Sequence, residues 1–370
     1  MKSGNGFSRL RGLAVAGAVS VTGLFSGAGA RAASTAIPLD VTRSSAVWSG
    51  VDNNNSFPSS SDVTTTNGAV YVTDTTTGFG ISDANIGGGG GSRGSSHGDA
   101  FDNALILSVD GNLFVNPDTS VDLTGDTVTS DTVAIIAGVN AQVRYNFFPG
   151  RPLVRALFSL TNTTGSPISV NAAVLGDYGS DSGTTVRATS NGDTVIDGAD
   201  LWYITDDVGQ PTGQAKPGRG AGGERGGGDP RITLSRYGAN ASVVPFNALT
   251  PGSGSAVFGL RYPVTIAAGA TARILVFAEL SDPTLPEAGA IAAAADFVSL
   301  DALSSAGLLT GLSATEIGEV VNYGQTGGGV PAVPAAQLPV MSPGGLLALF
   351  GVLGGFGYFE LRRRRKLEAA

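Results

Sequence analysis

Along much of the chain, apolar and polar positions alternate one for one. In Val154-Arg155-Ala156-Leu157-Phe158-Ser159-Leu160 the set Val154, Ala156, Phe158 and Leu160 falls on one face. Ile168, Val170, Ala172 and Val174 repeat the pattern after the turn-forming run Asn162-Thr163-Thr164-Gly165-Ser166-Pro167. Successive strand side chains point to opposite faces, so this alternation predicts half-buried strands. A second unit runs from Tyr262 to Ile266, turns at Ala267-Ala268-Gly269-Ala270, and resumes with Ala272, Ile274, Val276, Ala278 and Leu280. Further strand segments are read at 69–73, 104–109, 132–139, 141–148, 200–205, 231–236 and 256–260. Many short strands without intervening helices predict a mainly β fold, an antiparallel β-sandwich or its larger super-sandwich variant.

The pattern changes after Pro286. Ala288–Leu303 and Ser313–Val321 are predicted helices, the second opening with Ser313 as cap and Glu316 three residues on. Two glycine-rich stretches, 87–98 and 214–229, offer no apolar face and are expected as unpacked loops.

The two ends follow other rules. Lys2, Arg9 and Arg11 precede an uncharged, moderately apolar run from Gly12 to Ala30, which closes in Ala28-Gly29-Ala30 and Ala30-Arg31-Ala32. A positive start, a short apolar centre and small residues at the exit describe a signal peptide over 1–32, a substrate of signal peptidase. At the other end, residues 330–359 carry no charge. Pro331, Pro334 and Pro339 make the first part an extended linker. From Gly344 to Leu361 the chain is long enough for one transmembrane helix, and Arg362, Arg363, Arg364 and Arg365 form a stop that holds its end in the cytoplasm. The expected division is thus a signal peptide (1–32), a β-sandwich body (33–323) with a helical end (284–323), a linker and motif (324–343), a span (344–361) and a basic tail (362–370).

Composition narrows the body's chemistry. The 370 residues include no cysteine and one histidine, His97. That excludes disulfides, thiol nucleophiles and any site needing two histidines. The body, 33–359, keeps 13 of the 22 basic residues and 28 of the 30 acidic ones. Such an acidic surface repels phosphate backbones, so nucleic acid is not an expected partner. Gly90-Gly91-Ser92-Arg93-Gly94 matches the G-x-S-x-G spacing, with His97 nearby. A nucleophile elbow needs a strand before and a helix after, and polyglycine supplies neither, so an exposed loop is expected. Asp177, Asp181, Asp193 and Asp197 lie close enough in sequence to be candidate calcium ligands. Aspartate beside glycine and serine also caps turns, which is the simpler account. No other cofactor is expected. Trp48 and Trp202 are expected in the core, with sugar stacking as the alternative role.

The tail resembles the bacterial carboxyl-terminal sorting signals of the IPTL-CTERM type, related to the PEP-CTERM substrates of exosortases. Their typical start, I-P-T-L-S-x-W-G, is matched by Leu338-Pro339-Val340-Met341-Ser342-Pro343-Gly344-Gly345. Pro339, Ser342 and Gly345 coincide, Leu338 and Met341 are conservative, Val340 and Gly344 depart, and the tryptophan is missing. The resemblance implies an exosortase-like membrane enzyme of a Gram-negative cell as partner, and an inner-membrane precursor delivered to the cell surface or beyond. Within the body, the order N-T-T-G-S-P-I-S-V followed by G-D-Y-G-S-D resembles secreted super-sandwich domains of galactose mutarotase-like shape. Those enzymes use paired histidines and a glutamate, so shape is implied and activity is not. The expected function is a non-catalytic structural or matrix-associated surface component. The alternatives are a glycan-binding module that touches extracellular polysaccharide and a secreted carboxylate hydrolase.

Overall fold

The structure, a computed structural model, describes residues 33–56, 77–87, 97–180, 183–207, 229–251, 256–283 and 285–324. The strand segment expected at 69–73, the signal peptide, the sorting motif, the span and the arginine stop lie outside them. No helix among the described residues is long and apolar enough to cross a membrane.

Alternation becomes three antiparallel sheets. The largest runs β1 (Ala33–Ala36), β7 (Ser120–Thr124), β8 (Thr127–Thr129), β10 (Val139–Phe147), β11 (Leu153–Asn162), β18 (Thr271–Ser281), β15 (Arg231–Ser235), β14 (Trp202–Asp207) and β13 (Thr184–Thr189), with β9 (Val133–Ile136) also on β10. The second orders β16 (Phe246–Leu249), β17 (Val257–Ile266), β12 (Ile168–Asp177), β5 (Ile106–Val109) and β6 (Asn112–Leu113). The third holds β2 (Leu39–Arg43), β3 (Ala46–Ser56) and β4 (Thr77–Ile86).

The two strand–turn–strand units seen in the sequence do not form ladder-paired hairpins. Strand β11 pairs β18 in the large sheet, while β12 pairs β17 in the second. Each turn therefore carries the chain from one sheet to the other. Asn162 ties the two corners together: its Nδ2 donates to the carbonyls of Ser166, Ile266 and Ala267, and its Oδ1 accepts from Thr164 N. Buried at this corner, the amide meets backbone groups that would otherwise lack partners.

The main core lies between the large sheet and the other two. Val139, Ala141, Val143, Tyr145 and Phe147 enter it from β10, Val154, Ala156, Phe158 and Leu160 from β11, and Ile274, Val276, Ala278 and Leu280 from β18. Val170, Ala172 and Val174 meet them from β12, Leu260, Tyr262 and Val264 from β17, and Trp48, Val51 and Ile81 from the third sheet.

Strands β11 and β18 are also buried on their second face. There Leu153, Leu157, Leu275 and Phe277 pack with Ala290, Ala294, Phe297, Leu300 and Leu303 of the helical end. That end holds α1 (Glu287–Ala294), a 3-10 turn (Ala295–Phe297), α2 (Leu300–Ser305) and α3 (Ala314–Gly318). The single helix expected over 288–303 is thus broken. Ser299 adopts an extended backbone and its side chain accepts from Ala302 N, opening a new helix. The break lets both Phe297 and Leu300 reach the sheet. The capping box of Ser313 and Glu316 is present as read, but the helix it starts ends at Gly318, short of Val321.

The described chain finishes inside the sheet. Val320 bridges Arg273 of β18 in parallel. Asn322 Oδ1 accepts from Leu275 N at 2.9 Å, while its Nδ2 donates to Leu275 O at 2.6 Å and Arg236 O at 3.1 Å. Tyr323 is buried against Gly238, where a Cβ would lie 2.2 Å from the ring. These residues take over the β18 edge beyond the end of β15.

Candidate functional site

Strand polarity brings several chemically interesting segments to one end of the sandwich. Strand β14 ends there at Asp207, β15 begins at Arg231, β18 ends at Ser281 and β12 ends at Asp177. Both glycine-rich stretches depart from the described fold at this end. His97, the last but one residue of the first stretch, was expected in an exposed loop, and the structure corrects this. Its backbone pairs with Ile86 through two hydrogen bonds, and the residue is 2% exposed. His97 Nε2 lies 3.2 Å from Asp282 Oδ1. Gly87 and His97 thus close the stretch against the third sheet. Ser92 lies outside the described residues.

Beside this pair sits a buried charge cluster. Arg231 Nε is 3.3 Å from Asp206 Oδ2, and its Nη atoms donate to the carbonyls of Leu285 and Pro283. Asp206 Oδ1 is 3.6 Å from Arg187 Nε, which lies 3.5 Å from Glu287 of α1. Burial pushes the Asp206 carboxyl above the usual aspartate range, and the two guanidinium groups only partly oppose it. The cluster joins strand ends to the helical end.

The remaining arginines on this face work the same way. Arg151 forks onto Glu279 at 2.6 Å and reaches Asp296. Arg155 donates to the carbonyls of Leu308 and Thr310. Burial, with Arg144 beside it, pulls the Arg155 guanidinium down to about 10. Arg144 and Arg273 meet Glu316, and Arg273 also meets Glu319. Burial draws the Glu316 carboxyl upward, but Ser313 N–H, Arg144 and Arg273 outweigh it and hold it below the usual glutamate range. Sequence periodicity missed these contacts. The one signal was that Arg155 and Arg273 share the second face of β11 and β18 with Leu157, Leu275 and Phe277, a face too apolar to be left to solvent.

The described calcium candidates, Asp177, Asp193 and Asp197, are not gathered into a ligand set. Asp193 Oδ1 accepts from Thr189 Oγ1 and Val195 N, and Asp197 Oδ1 accepts from Ala199 N. Both serve turns, as does Asp200, whose Oδ2 accepts from Asp197 N. Asp177 stands apart at the end of β12, and Asp181 lies outside the described residues. Among the described residues no group of three or more histidines or carboxylates is arranged to hold a metal. Trp48 and Trp202 are buried at 0% and 4% exposure. Trp48 stacks with Phe101 and tilts against Phe147, as a core residue does.

No protein-family profile matches the chain, and no curated protein matches it. Some solved structures align over part of it. A Klebsiella pneumoniae chain classed with the aldose 1-epimerases shares 12% identity over 50% of this chain and 60% of that one, with a TM-score of 0.28. The heparan sulfate lyase HepC from Pedobacter heparinus shares 10% over 49% of this chain and 24% of its own, at 0.28. A galactose mutarotase-like protein from Lactobacillus casei shares 10% over 66% of this chain and 99% of its own, at 0.33. The chain spans less than two thirds of the first two.

Proposed function

We propose that the chain is an exported, surface-sorted protein whose β-sandwich body is a non-catalytic structural or matrix-associated component. One observation carries the reading: Asn322–Gly324, a few residues before the proline-bearing linker and the apolar run in sequence, are locked into the body. Asn322 satisfies both backbone groups of Leu275, and a Cβ on Gly324 would lie 1.9 Å from Asn240 O. The chemistry of the body agrees. His97 faces Asp282, the loop aspartates serve turns, and the helix-facing arginines are spent on carboxylates and carbonyls within the fold.

In this reading, signal peptidase removes residues 1–32. An exosortase-like enzyme then acts near Leu338–Ser342, while Arg362–Arg365 fix the depth of the span. A proline-held extended segment at the bilayer surface is the form in which a membrane enzyme can take a peptide bond. Buried Trp48 and Trp202 give the glycan-binding alternative no stacking platform from those two residues.

The test is mass spectrometry of the surface protein. Peptides should start near Ala30–Ala33 and stop before Phe350, and Pro339→Ala with Ser342→Ala should accumulate a longer, membrane-held species. Recovery of Met1, or of the segment beyond Phe350 at full stoichiometry, would sink the reading.

A further inference from the structure

The large sheet ends differently at its two margins. Its far edge, β13, carries a register shift between Val186 and Ala188. The smaller sheets are also blunted. Strand β16 shifts register between Asn247 and Leu249, β2 shifts between Leu39 and Val41, β6 has two residues, and β4 is bridged by Ala104 and His97. Bulges, short strands and cover are the usual protection of an edge against pairing with another chain. Strand β1 is itself short, at four residues, but it carries no register shift. It pairs with β7 in unbroken register from Ala33↔Leu123 to Ala36↔Ser120. Its sequence, Ala-Ser-Thr-Ala, contains no charge and no proline.

The hydrogen-bond phase shows which backbone groups face outward. Ile37 N donates to Thr119 O, so residues 37, 35 and 33 turn their backbone groups toward β7. Ser34 and Ala36 therefore turn N–H and C=O away from it. Ser34 and Ala36 are also exposed, and the Ser34 hydroxyl donates to that of Ser120 on β7.

We propose that β1 pairs with β1 of a second copy, antiparallel about a two-fold axis at Thr35, joining two large sheets edge to edge. This register alone sets Ser34 opposite Ala36 of the second copy in both directions, which satisfies every outward group of the two residues. A two-fold interface uses the same patch twice and so requires a self-complementary edge. An uncharged run of small residues meets that condition. It offers no carboxylate to a basic partner and no cation to an acidic one. Body acidity opposes the approach, but the nearest acid on the ladder, Asp122, lies one strand in from β1. Two such groups would stand about 14 Å apart across three strand spacings, beyond the screening length of about 8 Å at physiological salt. Association should therefore strengthen from low to moderate salt.

Because the chain has no cysteine, single cysteines report contacts without background. The full chain, purified in the presence of detergent, would carry Thr35→Cys or, as control on the second sheet, Ser169→Cys. Mild oxidation should give a covalent dimer with the first and little with the second. Ser34→Pro removes an outward N–H and leaves the β1–β7 ladder intact, since proline is tolerated on an edge strand with that orientation. It should abolish the dimer in sedimentation velocity with an unchanged melting temperature. A wild-type chain that sediments as a monomer, a Ser34→Pro dimer, or a Thr35→Cys yield no higher than the control would each overturn the proposal. A larger species containing another protein and no Thr35→Cys cross-link would overturn it too. None of these readouts depends on whether the leader or the tail is processed.

Discussion

The two faces of the large sheet are built on different principles. Toward the other sheets, β10, β11 and β18 present apolar side chains from Val139 to Leu280, apart from the Tyr145 hydroxyl and Asn162 at the corner. Toward the helices, the same strands mix Leu153, Leu157, Leu275 and Phe277 with Arg144, Arg155 and Arg273, and the turn between β10 and β11 adds Arg151. The first face is non-directional and tolerates any close-packed partner. The second meets short helices that leave carbonyls and carboxylates at their ends, and long guanidinium groups are what reach and satisfy them. The helical end is thus fastened as much by directed polar contacts as by area. This explains how three helices of eight residues or fewer stay in place.

Removing apolar bulk from the first face should cost most. Phe158→Ala, fully buried between the sheets, is expected to destabilise the body by about 3–5 kcal/mol in urea unfolding. On the second face, Arg231→Met leaves the buried Asp206 carboxylate with Arg187 alone at 3.6 Å, at a cost of about 3 kcal/mol. Adding Asp206→Asn should recover part of that loss, whereas a double change on the apolar face should show no such rescue.

Asn322→Ala leaves the backbone N–H and C=O of Leu275 without their side-chain partner and should cost about 1–3 kcal/mol. Hydrogen exchange should then speed at Leu275 and in the helical end before it does in β10. Ser313→Ala removes a cap and should cost about 1 kcal/mol, read from the thermal midpoint.

The smallest effect is on pH. Glu316 titrates below its unfolded value, so its contribution is present at neutral pH and is lost as pH falls through the folded value. Asp206 titrates above its unfolded value, so its charged form weakens the fold at neutral pH, and acid relieves this. Relative to wild type, Glu316→Gln should flatten the acid limb of stability below the ordinary glutamate range of about 4.3. A variant whose acid limb is unchanged would show that the arginine–glutamate contacts add nothing to the second face.

Local rules made part of this legible in advance. Alternation located β10, β11, β12, β17 and β18, and the spacing of Ser313 and Glu316 located the start of α3. The third sheet was not legible. Strand β3 contains Val51-Asp52-Asn53-Asn54-Asn55, which reads as a loop. There Asp52 accepts from Asn54 and Asn55, while Asn53 exchanges hydrogen bonds with Asn116, 63 residues away. A polar strand becomes stable only when distant backbone supplies partners.

The sequence by itself determined what depends on neighbours a few residues apart: strand period, turn chemistry, the capping box and the charge of the body. Tertiary structure alone decided the sheet to which each strand belongs, because a turn such as 162–167 serves a hairpin or a corner equally well. It also decided that His97 is buried, that Ser299 breaks a helix, and that arginines at strand positions act as clamps. Each of these rests on a partner remote in sequence, and period carries no record of who that partner is.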